Sequence, residues 1–251
     1  RDRLSDIHPS LQALRLNEYE RKLLACLVNP SDVDVSFASI GGLADNKAEI
    51  LENLILPLQH PHLLVGGSSS SLTSVPPGFL FVGPPGTGKT MIAKAIARVL
   101  FLSFPSHHLL SLQESGARML SLSFSSISNQ WFGESNKLVA AIFTLARKIA
   151  PTIIFIDEVD CFLTSRSSGR VGSEAMVHIM QEFLTSMDGL VASSTSGLAE
   201  SKPVIVIGAT NRLEDVDGAI LRRLPTVLTF PLPALDDRAV RYGSSMPFLK
   251  K

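Results

Sequence analysis

Cysteine is scarce in this chain: Cys26 and Cys161 stand far apart among 251 residues, with no metal-type spacing. That excludes a disulfide framework and suits a reducing compartment. Charge of one predominant sign is also missing, since Lys+Arg and Asp+Glu number 23 each. No global field therefore draws the chain to nucleic acid or to an anionic membrane, and no nucleic-acid partner is expected. No apolar run approaches the length of a membrane span. Aromatic residues make up only 6% of the chain, with Trp131 the sole tryptophan. The chain opens on Arg1-Asp2-Arg3 rather than Met, which leads one to expect an upstream segment, such as an anchor or a targeting signal. What remains, 45% hydrophobic and 18% charged, describes a core-forming chain sized for one large α/β domain or two small ones.

The strongest local signal is Gly83-Pro84-Pro85-Gly86-Thr87-Gly88-Lys89-Thr90, which reads G-x-x-x-x-G-K-T. Its context gives it weight: an apolar strand, Gly78–Val82, runs into it and a helix, Met91–Ala97, runs out. Glycines let successive N–H groups turn inward around phosphate oxygens, and the helix N-terminus adds the positive end of its dipole. In such a loop Lys89 reaches the β- and γ-phosphates and the Thr90 hydroxyl ligates Mg²⁺. A nucleoside triphosphate, ATP or GTP, is the expected ligand.

Upstream, Leu11, Leu14, Leu16, Tyr19, Leu23, Leu24 and Leu27 approach a helical apolar stripe, which predicts one core-packing amphipathic helix over about 10–28, ended by Asn29-Pro30. A second helix is expected from Ala44 to Leu56, with Pro57 as its stop. Gly66-Gly67-Ser68-Ser69-Ser70-Ser71 reads as a flexible surface connection. Beyond the phosphate loop, strands at Met119–Ser123, Ile153–Ile156, Val204–Gly208 and Val227–Phe230 alternate with helices at Ser135–Lys148 and Ser173–Met187. That alternation predicts an α/β fold with a mostly parallel sheet covered on both faces, its functional loops gathered at the strands' C-terminal edge.

Ile153-Ile154-Phe155-Ile156-Asp157-Glu158 delivers two carboxylates to that edge. Asp157 is placed to help hold Mg²⁺ and Glu158 to polarise the attacking water. Asp160 reads equally as a supporting charge or as a solvated one. Gly208-Ala209-Thr210-Asn211-Arg212 ends the next strand, where Asn211 is either turn chemistry or a second group orienting the water. Arg222 and Arg223 read either as cations complementing a helix C-terminus or as groups that reach a neighbouring subunit's γ-phosphate. Trp131-Phe132-Gly133 reads as core packing or as an exposed aromatic pair gripping an extended polypeptide. His60/His62 and His107/His108 have no matching ligand cluster, so neither is read as a metal site.

Together these pieces resemble the AAA ATPases, in the clade of spastin, katanin, fidgetin and the outer mitochondrial membrane AAA ATPases. The resemblance covers about residues 17–235. It is carried by Asn17-Glu18-Tyr19-Glu20, Ile40-Gly41-Gly42-Leu43, both nucleotide motifs, the Gly208–Arg212 segment, Leu221-Arg222-Arg223, and Trp131-Phe132-Gly133-Glu134-Ser135-Asn136-Lys137, which looks like the family's first pore loop. The helix of Asn17–Pro30, that loop and Leu221-Arg222-Arg223-Leu224-Pro225 lean toward the mitochondrial branch. The resemblance implies ATP and Mg²⁺ as cofactors, with Ile40 and Gly41 at the adenine and Pro84 to Thr90 around the phosphates. It further implies catalysis through Glu158 and Asn211, with Arg222 and Arg223 acting in trans within a homo-hexamer. The implied activity is extraction of mislocalised tail-anchored proteins at the cytosolic side of the mitochondrial outer membrane.

Two departures qualify this. Between the helix after the phosphate loop and the next strand stands Val99–Gln113, apolar, without helical period and containing Pro105; its ends are compatible with an in-frame retained intron. After Phe230-Pro231-Leu232-Pro233 the family continues into a helical lid, whereas residues 236–251 lack helical patterning. The expected organisation is a linker helix over 1–33, the AAA large subdomain over 34–235 with 99–113 as an atypical insertion, and a tail without the lid. Poor hydrolysis and no stable hexamer are expected of such a chain alone. Two other readings stay open: a soluble microtubule-severing or membrane-scission ATPase, and a nucleotide-binding fragment without motor activity.

Overall fold

Strands buried on both faces read as largely apolar runs, and three such strands lie in the middle of the sheet beside a fourth, which Arg118, Ser121 and Ser123 leave only partly buried. The computed structural model describes residues 14–28, 35–56, 78–103, 118–123, 135–162, 173–195 and 204–233. The central strands are β2 (Gly78–Val82), β3 (Arg118–Ser123), β4 (Thr152–Asp157) and β5 (Val204–Thr210). Short strands β1 (Leu27–Val28) and β6 (Thr226–Thr229) border them, giving the order β1-β3-β4-β5-β2-β6. All pairs are parallel except β1 with β3, so the sheet is mixed but mainly parallel.

Period-two alternation along each strand divides the core in two. Leu80, Leu120, Leu122, Ile154, Ile156 and Val206 face one layer, which contains α4 (Ser135–Lys148), α5 (Ser173–Thr195) and α6 (Gly218–Arg223). Phe79, Phe81, Met119, Ile153, Phe155, Ile205 and Ile207 face the other, which contains α2 (Ala44–Ile50), its π-helical continuation Leu51–Ile55, and α3 (Lys89–Ser103). Each fully buried Leu, Ile or Phe contributes about 1.5–3 kcal/mol, so this double-sided packing holds the strand ends rigidly.

The register sets the site. Val82 pairs with Thr210 and Ser123 with Asp157, so β2, β3, β4 and β5 finish at one edge. Because β5 lies between β4 and β2, whatever follows Thr210 falls between the phosphate loop and the Asp157-Glu158 turn.

Three expectations are corrected. The single helix over about 10–28 is instead a short α1 (Glu18–Leu23), then a 3₁₀ turn at Leu24–Cys26, then β1. Leu27 and Val28 leave the helix to pair with Leu120 and Met119. The helix after the phosphate loop does not stop at Ala97 but runs to Ser103, with Leu100 buried in the second core layer. Val99–Ser103 is therefore helical, and only the remainder of the 99–113 segment lies outside the described residues. Helix α5 continues past Met187 to Thr195. His60, His62, His107 and His108, the Gly/Ser connection at 66–71, Trp131-Phe132-Gly133 and residues 236–251 lie outside the described residues.

Candidate nucleotide site

Residues 83–90 leave β2 and curl back to start α3 at Lys89, which points the helix N-terminus across the sheet edge. Gly86 (φ +79°) and Gly88 (φ +99°) adopt left-handed backbone that a side chain would strain, and a Cβ on either would point into open space. Pro84, Pro85 and Gly86 are exposed at the loop's crest, whereas Thr87 and Lys89 are buried. Thr87 Oγ1 donates to the Pro84 carbonyl at 2.9 Å and fixes the curl.

Lys89 donates to three neutral oxygens: the Gly83 carbonyl (2.6 Å), the Pro84 carbonyl (3.0 Å) and Asn211 Oδ1 (2.9 Å). Burial pushes its ammonium below the usual lysine range, with the charges of Asp157 and Asp160 acting the other way. A buried cation whose direct partners carry no formal charge suits an incoming anion.

Thr90 Oγ1 lies 3.3 Å from Asp157 Oδ2, so a hydroxyl and a carboxylate meet one helical step from the lysine. This pair of hard oxygen donors fits Mg²⁺, which favours carboxylate, hydroxyl and phosphate oxygens over nitrogen or sulfur. Glu158 follows at φ +59°, a left-handed conformation unusual for a residue with a side chain. Its N–H donates to Asp157 Oδ1 at 3.0 Å, and its Oε2 lies 3.4 Å from Ser123 Oγ on the adjacent strand. The strained backbone and these tethers place two neighbouring carboxylates in different surroundings.

Asn211, Lys89, Thr90 and Asp157 are thus brought together by three separate chain segments. Ile40 and Gly41 come from a fourth segment, between a 3₁₀ turn and α2. Ile40 is buried in the core layer shared with α3, and its carbonyl accepts from Lys47 Nζ at 2.5 Å. The 3₁₀ turn before it, Phe37–Ser39, packs against α3. Arg222 and Arg223 end α6. Arg222 is exposed, while Arg223 makes a bidentate pair with Asp188 of α5 at 2.7 and 2.6 Å and also donates to the Ala219 carbonyl at 3.0 Å. Asp160, ambiguous in the sequence, accepts from Thr210 Oγ1 at 3.0 Å. Local pattern assigns no role to Thr210 or Ser123; for Thr210 the available signal is a hydroxyl closing an otherwise apolar strand.

A mainly parallel sheet flanked by helices, with a G-x-x-x-x-G-K-T loop at its C-terminal edge, defines a P-loop nucleoside triphosphatase fold. The profile of the family described as "ATPase family associated with various cellular activities (AAA)" matches residues 79–232. The chain belongs to this AAA family. Among curated relatives, the Outer mitochondrial transmembrane helix translocase of Danio rerio is 41% identical over 223 residues, 89% of this chain and 52% of the relative. That of Homo sapiens is 41% identical over 225 residues, covering 90% and 55%. The chain therefore spans about half the length of the curated relatives it matches. Among solved structures, one of katanin has a TM-score of 0.69 at 29% identity, covering 94% of this chain and 67% of that one. The FIGL-1 AAA domain in complex with ADP has a TM-score of 0.68 at 30% identity, covering 90% and 66%. The chain is thus similar both to outer mitochondrial transmembrane helix translocases and to the katanin and FIGL-1 structures. Among the described residues, no helix is long and apolar enough to cross a membrane.

Proposed function

We propose that this chain is the ATP-hydrolysing part of a protein-remodelling motor that draws tail-anchored proteins from the mitochondrial outer membrane on its cytosolic side. The observation that carries the hydrolytic reading is the convergence of Lys89 on Asn211 beside the Thr90–Asp157 pair. In this reading Lys89 exchanges its neutral oxygens for the β- and γ-phosphates, and the N–H groups of residues 86–90 surround them. Thr90 and Asp157 would hold Mg²⁺, which when bound supplies charge neutralisation between the phosphates. Glu158 takes the proton of the attacking water, and Asn211 orients that water against the γ-phosphate. Ile40 and Gly41 supply the adenine side.

Residues 34–235 form the ATPase unit in this proposal, with 1–33 leading into it, 99–113 as an insertion and 236–251 as a tail. Trp131, Phe132 and Gly133 grip the polypeptide substrate in the centre of a homo-hexamer, where Arg222 and Arg223 act on the neighbouring subunit's nucleotide. The likeness to outer mitochondrial translocases supports the location and the client class.

The test pairs nucleotide binding with turnover. Lys89→Met is expected to lower nucleotide affinity about 10–100-fold, the worth of a charge-assisted hydrogen bond. Glu158→Gln is expected to keep affinity while turnover falls about 10²–10⁴-fold. Unchanged binding in Lys89→Met would sink the site assignment. The likeness to katanin supports a second reading, a soluble severing or scission motor. Release of a tail-anchored protein from liposomes without loss of microtubule mass selects the first reading; the converse selects the second.

A further inference from the structure

Thr210 is the one hydroxyl in the run Val204-Ile205-Val206-Ile207-Gly208-Ala209-Thr210, and it is 1% exposed. A valine would fill the same volume in a strand without a buried polar atom, so the hydroxyl is tolerated through the bonds it makes. Those bonds bracket Asn211. The Arg212 N–H donates to Thr210 Oγ1 at 3.0 Å, across the asparagine. The Thr210 proton has two acceptors within reach, Asp160 Oδ1 at 3.0 Å and the Arg212 carbonyl at 3.0 Å. One hydroxyl has one proton, and the carboxylate is the stronger acceptor. On the other side, the Thr210 carbonyl accepts from the Gly83 N–H at 3.2 Å.

A turn-capping threonine would need only Arg212. The tie to Asp160 spans fifty positions and joins the turn that carries Asp157 and Glu158 to the strand end that carries Asn211. Asn211 itself is exposed and lies on a loop, so packing does not hold it; its aim at Lys89 depends on the residues on either side. We propose that Thr210 and Asp160 are positioning residues for the hydrolytic site: their hydrogen bond fixes the backbone of Asn211 so that its amide faces the γ-phosphate, and couples that aim to the Asp157-Glu158 turn. The proposal rests on the reading of Asn211 given above.

The readout is the affinity ratio between the β,γ-imido analogue of ATP and ADP, measured by calorimetry on the full chain, since only the former carries a γ-phosphate. Thr210→Val is expected to lower that ratio about tenfold, one hydrogen bond's worth, while ADP affinity stays within about twofold. Thr210→Ser keeps the hydroxyl and restores the ratio. Asp160→Ala lowers the ratio whatever its effect on overall anion affinity, whereas Asp160→Asn keeps an acceptor and preserves it. Asn211→Ala is the control. If it leaves the ratio unchanged, the reading of Asn211 fails and the positioning role falls with it. If Asn211→Ala lowers the ratio but Thr210→Val and Asp160→Ala do not, the positioning pair alone is overturned. A lowered melting temperature in Thr210→Val with the ratio intact also overturns it, since that is the signature of a purely structural hydroxyl. Should Thr210→Val not fold, Asp160→Ala, at a half-buried turn position, decides the question.

Discussion

Lys148 Nζ lies 2.7 Å from Glu20 Oε2, and the carboxylate it meets is fully buried. Glu20 also closes the capping box of α1, accepting the Asn17 N–H at 2.8 Å, and it accepts the Thr144 hydroxyl at 2.9 Å. Lys148 adds a bond to the Arg15 carbonyl at 3.0 Å. The segment entering the domain is thereby fastened to α4. Burial alone would raise the Glu20 carboxyl; the hydrogen bonds from Lys148, Asn17 and Thr144 and the lysine's charge outweigh it and hold the group below its ordinary range. A depressed folded-state pKa contributes stability that is full above the unfolded value, about 4.5, and is lost as pH falls through the folded value. Glu20→Gln is expected to cost about 1.5–3 kcal/mol at neutral pH and to flatten the acid side of the stability profile. Urea titrations across pH 3 to 7, about the range that spans the transition, would measure both.

The two arginines of α6 should separate. Arg223 is committed to Asp188, and that hydrogen-bonded pair holds the aspartate below its usual range. Because Asp188 is largely exposed, Asp188→Ala is expected to cost only about 0.2–1 kcal/mol. Arg222→Ala should change stability by less than about 0.5 kcal/mol, yet lower turnover in the assembled enzyme by about 10³-fold or more if it serves the neighbour's phosphate. Unchanged turnover in Arg222→Ala, or a stability loss above about 1 kcal/mol in that variant, would contradict this division.

Gly88→Ala tests the loop without touching a charged group. At φ +99° an alanine is strained by about 1–2 kcal/mol, although no atom stands in its way. The same φ sets the direction of the N–H groups that the proposed site turns toward phosphate. Nucleotide affinity should therefore fall by more than the stability loss accounts for, as read by paired calorimetry and denaturant titration.

Leu100 carries a prediction about the atypical segment. It is 1% exposed and packs with Ile92, Ile96 and Ile50 in the second core layer. Leu100→Ala should destabilise by about 2–5 kcal/mol. A loss below about 0.5 kcal/mol in urea would show that the helix beyond Arg98 contributes nothing to the core.

That residue also shows where sequence reasoning stopped. Pro105 and the long apolar run of Val99–Gln113 hide a helical register, yet Leu100 continues the face begun by Ile92 and Ile96. Central strands were legible because burial on both faces leaves runs such as Ile153–Ile156 with no polar interruption. Strand β1 was not: Leu27 and Val28 fit an apolar helical stripe equally well, and only their pairing with Leu120 and Met119, far along the chain, decides the matter. In the site, Lys89, Thr90 and Asp157 were legible from fixed spacing after a strand. Their contact with Asn211 was not, because it follows from strand order rather than from local pattern.

That strand order has a consequence for how the molecule is made. β2 and β4 share no hydrogen bonds; the strand between them, β5, is supplied by residues 204–210, long after both have left the ribosome. Until it arrives, two strongly apolar strands present unpaired inner edges. Contacts of such sequence separation close slowly, and the waiting intermediate is prone to aggregate. A nascent chain arrested before Val204 should thus recruit holding chaperones, and one released past Thr210 should shed them.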